Sequence, residues 1–382
     1  MSEWPLRRVG DIVERRRERI TLEPNVEYRT MGVRWYGKGS YFRGIETTET
    51  IKAKSLFVAR RGDFTFNRID TQKGAFDVIP ESLDGALVTN EFPLYAGGEE
   101  IDTNYLLLHF QQQSVLDEIG RSRAGSEGRA RWKEADFESA TLRLPSLSEQ
   151  RRIVDLVGSL DAQIEMLGQE IAAANAMLVA GCRTLASPST CESIVTLAEE
   201  CDILDTLRMP VNERERAHRM GTVPYYGANG QVGLIDQAVF DEPLTLVPED
   251  QHAGFFSMFL RKRMAYSIEG PAWVNNHAHV LRARTTSRDW VYYSLRHRDL
   301  LEFVTDATRS KLTRKNLERI SLGIPDDWQQ RAERLRGIED TCSALTAESE
   351  SLQAVRQRLL ERLLERVIVI PESYDVAVAE AV

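Results

Sequence analysis

Two stretches of the chain repeat apolar residues at alternating gaps of three and four. From Ser148 to about Leu185 the candidate seam runs Ile153, Val157, Leu160, Ile164, Leu167, Ile171, Ala174 and Leu178, a heptad pattern that predicts one long helix with a stripe for a partner helix. Its start is marked in LRLPSLSEQ, where Pro145 stops a strand and Ser146 with Glu149 has the spacing of a capping box. A second helix is predicted from about Trp328 to Val367, with Leu335, Ile338, Cys342, Leu345, Leu352, Leu359 and Leu363 on its stripe. Ser349 and Arg356 stand at seam positions there, which predicts a looser pairing or a shift of register. At about 1.5 Å per residue each helix is roughly 50–60 Å long.

The segments before the two helices match one another at an offset of 180: Asp136-Phe137-Glu138 with Asn316-Leu317-Glu318, Leu142-Arg143-Leu144-Pro145 with Leu322-Gly323-Ile324-Pro325, Ser146/Glu149 with Asp326/Gln329, and Arg129 and Arg131 with Arg309 and Lys311. Farther upstream, Leu6, Val9 and Asp11 answer to Ile194, Leu197 and Glu199. Each half therefore begins alike, diverges in its middle and ends in a long helix, the signature of a tandem duplication. Trp132 and Leu312 share a repeat position and are expected to wedge each globule onto its helix.

The divergent middles read as mixed α and β. SLFVARRGDFTF, GALVTNEFPLYA, TVPYYGANGQVGLI and AVFDEPLTLVPED are strand-rich runs broken by turn residues, and short helices are expected around Tyr105–Gly120 and Trp290–Thr305. The expected organisation is a globule at 1–145, a helix at 146–187, a second globule at 188–325, a second helix at 326–368 and an acidic tail at 369–382. The expected fold is mixed α+β, with two globules separated by two long antiparallel coiled-coil helices in a pseudo-two-fold arrangement.

Composition constrains this picture little, but charge changes it. The chain has 382 residues and a formal net charge of −9, which argues at first against a polyanionic partner. Five of those nine negative charges lie in residues 326–382, however, so the two globular segments are close to neutral and carry local basic clusters. No run approaches the roughly 18 apolar residues of a membrane span, and the opening MSEWPLRRVGDIVERRRERI lacks the apolar core of a signal peptide. Cys182, Cys191, Cys201 and Cys342 form no CxxC pair. These features lead us to expect a cytoplasmic chain with reduced thiols.

Motifs for catalysis are missing. The sequence contains no G-x-x-x-x-G-K-[ST] phosphate loop, no [DN]-P-P-[YF] loop for amino-group methylation, and no spaced acids followed by Glu-x-Lys. His277 and His279 form an HAH pair with no further His or Cys cluster nearby in sequence, so a structural strand is expected there and no metal. A duplicated reader on paired rods suits a ligand with two similar, separated sites, of which duplex DNA is the commonest; a coiled-coil adaptor joining two proteins is the alternative.

For DNA, the candidate phosphate contacts are Arg60, Arg61, Arg129, Arg131, Arg261, Lys262, Arg263, Arg309 and Lys311. Base readout needs directional donors and acceptors in polar loops. The candidates are Asn67, Arg68, Asp70, Gln72, Lys73 and Asn90 in the first globule, and Asn229, Gln231, Asn275, Asn276 and His277 in the second, although Asn229-Gly230 and Asn275-Asn276 also read as turn formers. Trp35, Tyr36, Tyr41, Phe42, Tyr225 and Tyr226 offer stacking surfaces, but core packing is the expected role.

Over nearly its whole length the chain resembles the DNA-specificity subunit of type I restriction-modification systems. The resemblance is carried by WPLRRVGDI, GDFTFNRIDTQKGAF with GALVTNEFPLY, PYYGANGQVGLID with WVNNHAHVLRA, LRLPSLSEQRRIVDLVGSLDAQIE, and KLTRKNLERISLGIP, in that order. It implies a non-catalytic subunit with two target-recognition domains, each reading half of a bipartite DNA sequence, and helices that act as a ruler and dock two methyltransferase subunits. S-adenosylmethionine belongs to those subunits, and ATP with Mg²⁺ to motor-nuclease subunits that join a restriction complex; this chain itself needs no cofactor. The imperfect second heptad and the acidic tail depart from the pattern. A type IIB-like enzyme, with methylation and cleavage on one partner chain, is the alternative within this class.

Overall fold

In a computed structural model, which describes residues 4–53, 56–122, 131–228, 230–249, 264–305 and 311–375, the two heptad stretches are continuous helices, Leu147–Leu185 (the central helix) and Trp328–Leu364 (the distal helix). The chain divides into two compact units, Met1–Met166 with Ser349–Val382 and Leu167–Glu348. The division falls within both helices, so each unit contains part of each.

In the first unit, Leu6–Arg8 pairs antiparallel with Thr141–Arg143, the strand that leads into the central helix. A four-stranded sheet follows in the order Val13–Arg16, Leu94–Gly97, Phe64–Phe66, Phe76–Val78. Helices Thr103–Phe110 and Glu134–Ser139 supply Phe110 and Phe137 to its core, where they join Phe64, Phe66, Phe76, Tyr95 and Trp132, with ring centroids 4.6 Å apart for Tyr95 and Phe137. A five-stranded sheet runs in the order Arg19–Ile20, Leu56–Val58, Leu87–Val88, Tyr28–Val33, Ser40–Glu46 and has a small core of its own around Met31, Val33, Ile79 and Val88. Ile153 and Val157 of the central helix share the aromatic core with Leu360, Leu363 and Leu364 of the distal helix. Trp132 lies in that cluster, the wedge position expected of it.

The second unit repeats the frame. Ile194–Thr196 pairs with Ser321–Gly323 in the register of the first unit, Ile194↔Gly323 answering Leu6↔Arg143. The Leu197 amide donates to the Ile320 carbonyl at 2.8 Å as the Val9 amide does to Ala140 at 2.9 Å, and Ile324 donates to Ser193 as Leu144 does to Pro5, each at 2.9 Å. The Trp290 indole donates to the Gly323 carbonyl at 2.9 Å, where in the first unit the Tyr105 hydroxyl donates to Arg143. The sheet order Cys201–Ile203, Ala278–Ala283, Leu244–Pro248, Tyr266–Ile268 matches that of the first unit. A separate four-stranded sheet orders Gly230–Ile235, Val223–Gly227, Pro271–Val274, Phe240–Asp241. Leu178 and Cys182 pack with Ala332, Leu335 and Leu312, and the Arg331 guanidinium donates to the Leu185 carbonyl at 3.1 Å. In both units the two helices run antiparallel.

Several details differ from expectation. Between residues 158 and 178 of the central helix only Leu160, Ile164, Leu167, Ile171, Ala174 and Leu178 are not exposed, so the heptad seam is real. In the distal helix the register does not shift: Ser349 is buried in the stripe, and Arg356 is anchored by the Asp161 carboxylate (Nη2 to Oδ2 2.9 Å) and Gln111 Oε1 (2.8 Å). The Ser146–Glu149 capping box forms. Its counterpart does not, because the distal helix begins one repeat position later; there Asp327 pairs with Arg331 at 2.8 Å. The helix expected over Tyr105–Gly120 is two, Thr103–Phe110 and Gln113–Ser122, and the one expected to reach Thr305 ends at Arg296.

Candidate nucleic-acid interface

The strand Val13–Arg16 and the turn after it place four arginines in five residues, and their alternation sends them to different partners. Arg15 pairs with Glu134, and Arg16 Nε with the buried Asp63 at 2.6 Å. Arg17 has no ion pair among the described residues, and Arg19 lies over the Phe57 ring at 5.7 Å, its charge unpaired. With Arg68, Asn90, Phe92 and Pro93 these four line a groove of about 260 Å³ in which Glu134 is the one acidic lining residue. The structure thus brings Arg68 and Asn90 together with a basic run that sequence reasoning passed over, although RRRER was visible as a charge cluster. Arg68 is half-buried, its Nε 3.5 Å from Glu134 and its Nη1 donating to the Asn90 carbonyl at 3.3 Å, whereas the Asn90 side chain is exposed.

The neighbouring turn explains several other candidates. Asn67 Oδ1 accepts the Ile69 amide at 2.9 Å, an Asx-type turn. Asp70 sits buried with a left-handed backbone (φ 53°) and holds Lys73 Nζ at 3.2 Å. Lys73 also lies over the Trp35 ring at 4.9 Å, and Gln72 is half-buried against the helix Gln113–Ser122 near Gly120. Core packing, expected for the aromatics, does not hold for Trp35 (40% exposed), Tyr36 (69%) or Phe42 (49%), which reach solvent because their strand, Ser40–Glu46, and its hairpin form the sheet edge. It does hold for Tyr225, which is buried.

In the second unit the hairpin Val223–Gly227/Gly230–Ile235 brings exposed Gln231 near the turn carrying Asn275, Asn276 and His277: the Asn275 amide donates to Tyr226, and Asn275 Oδ1 accepts the His277 amide at 2.8 Å. Asn276 and His277 are exposed. Arg216 lies over Tyr225 and Arg219 over Trp273 on this sheet.

Of the phosphate candidates, Arg60 pairs with Glu18, Arg61 with Glu81, Arg131 with Glu91 at 3.0 Å, and Lys311 with Glu249 at 2.7 Å. Arg129, Asn229, Arg261, Lys262, Arg263 and Arg309 lie outside the described residues, as does the end of the acidic tail. Asp205, Glu249 and His279 gather within 4.8 Å, a trio of ligand types that sequence separation conceals. His279 Nδ1 is 2.6 Å from Asp205 and Nε2 2.9 Å from the Leu312 carbonyl, so both ring nitrogens are occupied by protein oxygens. Arg208 (2.5 Å) and Lys311 occupy Glu249. Burial opposes the charge on Asp205, but His279 and the Val280 amide hold its carboxyl below the usual range. Fixed cations already neutralise the carboxylates, so the cluster suits a strand-tying charge network better than a metal.

Residues 1–176 match the family model described as type I restriction modification DNA specificity domain. A type I restriction enzyme specificity subunit of Haemophilus influenzae is 30% identical over 156 residues, 40% of this chain and 37% of that relative's length. Among solved structures, the fold is similar to the type I restriction-modification system S subunit from M. genitalium (TM-score 0.60, 14% identity, 94% of this chain and 96% of that one). It is also similar to a chain from a structure on complex assembly and conformational transition of the type I R-M system (TM-score 0.55, 16% identity, 95% and 97%). Among the described residues no helix is long and apolar enough to cross a membrane.

Proposed function

From the match of residues 1–176 to the type I restriction modification DNA specificity domain and the similar fold, we propose that the chain belongs to that family and is the non-catalytic reading subunit of a DNA-modifying complex. Each unit recognises one half of a bipartite duplex target. The long helices set the unread spacer and dock two methyltransferase subunits, which carry S-adenosylmethionine; motor-nuclease subunits with ATP and Mg²⁺ complete a restriction complex. The observation that carries this reading is the repeated frame: two units with the same strand register and sheet order each present a separate sheet with exposed polar loops. In the first unit those loops adjoin an arginine groove whose cations suit the phosphate backbone.

The test is to map modified bases in a host expressing this chain with its methyltransferase, then to remove one heptad from each long helix at facing positions. Seven residues shorten a helix by about 10 Å, close to three base pairs at the duplex rise. The two half-sites should stay the same while their separation contracts. Unchanged separation refutes the spacer role, and absence of any sequence-dependent modification or DNA affinity favours a protein-bridging adaptor.

A further inference from the structure

We propose that Tyr36 is a stacking wedge that engages an opened base step in the half-site read by the first unit, an inference that rests on the DNA-reading function above. The strands Tyr28–Val33 and Ser40–Glu46 pair up to Val33↔Ser40, and the tip between them closes with the Arg34 amide donating to Gly39 at 3.0 Å. Tyr36 and Gly37 are both left-handed there, with φ 62° and 65°. Glycine adopts that conformation freely and asparagine tolerates it, whereas a bulky aromatic residue is an outlier. Nothing in the packing asks for the ring, since Tyr36 is 69% exposed. The backbone, in contrast, is firmly held: the Tyr36 amide donates to the Lys73 carbonyl at 2.6 Å, and Gly37 to Gly74 at 3.0 Å. A strained backbone that presents an unpacked aromatic ring from a braced tip is the arrangement a stacking residue requires.

The surroundings identify the occupant. Trp35, 40% exposed, stands beside Tyr36 with Lys73 over its ring, and its indole lies 3.4 Å from the Ile69 carbonyl, on the turn that carries the candidate readers Asn67 to Lys73. Arg34 and Lys38 are exposed on the same tip. Aromatic faces framed by cations suit a base with its flanking phosphates.

The experiment uses the full chain with its methyltransferase and a duplex carrying the mapped target, with 2-aminopurine placed in turn at half-site positions other than the modified base. Binding should brighten one position. Tyr36→Asn should abolish that signal and weaken affinity roughly 5- to 150-fold, the range expected for loss of one stacked base. The salt dependence should stay as it is and the melting temperature should hold or rise, while Tyr36→Trp should keep the signal. Tyr36→Asn with unchanged affinity and fluorescence, or with a lowered melting temperature, overturns the wedge but leaves the reading function standing. A wild-type complex without sequence-dependent binding removes both.

Discussion

The arginine groove makes a quantitative claim about which of its charges meet DNA. Four arginines lie within residues 15–19, but the carboxylates of Glu134 and Asp63 already take Arg15 and Arg16. Arg17 has no ion pair among the described residues, and Arg19 rests on Phe57. A cation whose counter-charge is built into the fold releases no condensed ion from DNA; an unpaired one does, and each phosphate so neutralised contributes about 0.9 to the slope of log affinity against log salt. Replacing both Arg17 and Arg19 by Ala should therefore flatten that slope by about 1.8. Between 50 and 200 mM salt the wild type should lose roughly twelvefold more affinity than the double variant. The assay is a fluorescence-anisotropy titration of the complex on its mapped duplex, and on scrambled duplexes, at four salt concentrations. Target and scrambled affinities should fall together, because phosphate contacts carry no sequence information. If Arg16→Ala flattens the slope as much as Arg17→Ala, or if the double variant loses one base pair's preference selectively, the division between paired and free arginines is wrong.

Two further outcomes follow from the first unit. Burial pushes the His109 imidazole down to about 4, and the Gln112 amide faces its Nδ1 at 3.3 Å, as suits the neutral ring. A folded pKa below the unfolded value of about 6.5 means the contribution is complete above 6.5 and lost as pH falls toward 4; thermal melting should drop across that window, and His109→Phe should flatten the drop, whereas equal profiles would place the titration elsewhere. Replacing the pair together, Arg356→Leu with Asp161→Ala, should be neutral or stabilising by about 1 kcal/mol, since apolar side chains can replace a partly buried ion pair without loss, while Arg356→Ala alone should destabilise by removing the stem from the seam and leaving Asp161 without its partner; chemical denaturation of both variants distinguishes packing from charge.

Local pattern carried much of this structure into the sequence. The heptad of the central helix and the capping box at Ser146 depend on residues within a few turns of one another, and the repeat could be read because equivalent residues serve equivalent hydrogen bonds, as Val9 with Ala140 and Leu197 with Ile320. The strand-rich runs all contain strands. What the sequence concealed is long-range neutralisation. Arg60 meets Glu18, Arg131 meets Glu91 and Lys311 meets Glu249, so residues that look like free cations in a row of letters are committed partners in three dimensions. The exposure of Trp35 and Tyr36 was hidden for a similar reason: whether an aromatic in a β-rich run faces a core or solvent depends on which strand ends at the sheet edge, and local composition does not decide that.

The same distinction resolves the tension between a chain of net charge −9 and a polyanionic ligand. Net charge sums pairs that cancel within a few ångströms and says little about the potential at one face. Ion pairs such as Arg208–Glu249 and Arg282–Glu242, both at 2.5 Å, tie strands together and contribute almost nothing at a distance. On the proposed reading, the potential that a duplex meets is set by cations without an ion pair among the described residues, such as Arg17 and Arg19 at the groove and Lys38 at the hairpin tip. The acidic surplus of residues 326–382 flanks the distal helix, which is itself charge-balanced: Asp326 and Asp327 precede it and Glu365, Glu372, Asp375 and Glu380 follow it, away in sequence from those loops. An acidic protein can thus present a basic reading face without any reversal of its overall charge, and substitutions that raise the net charge elsewhere should do little for binding compared with the loss of a single unpaired arginine.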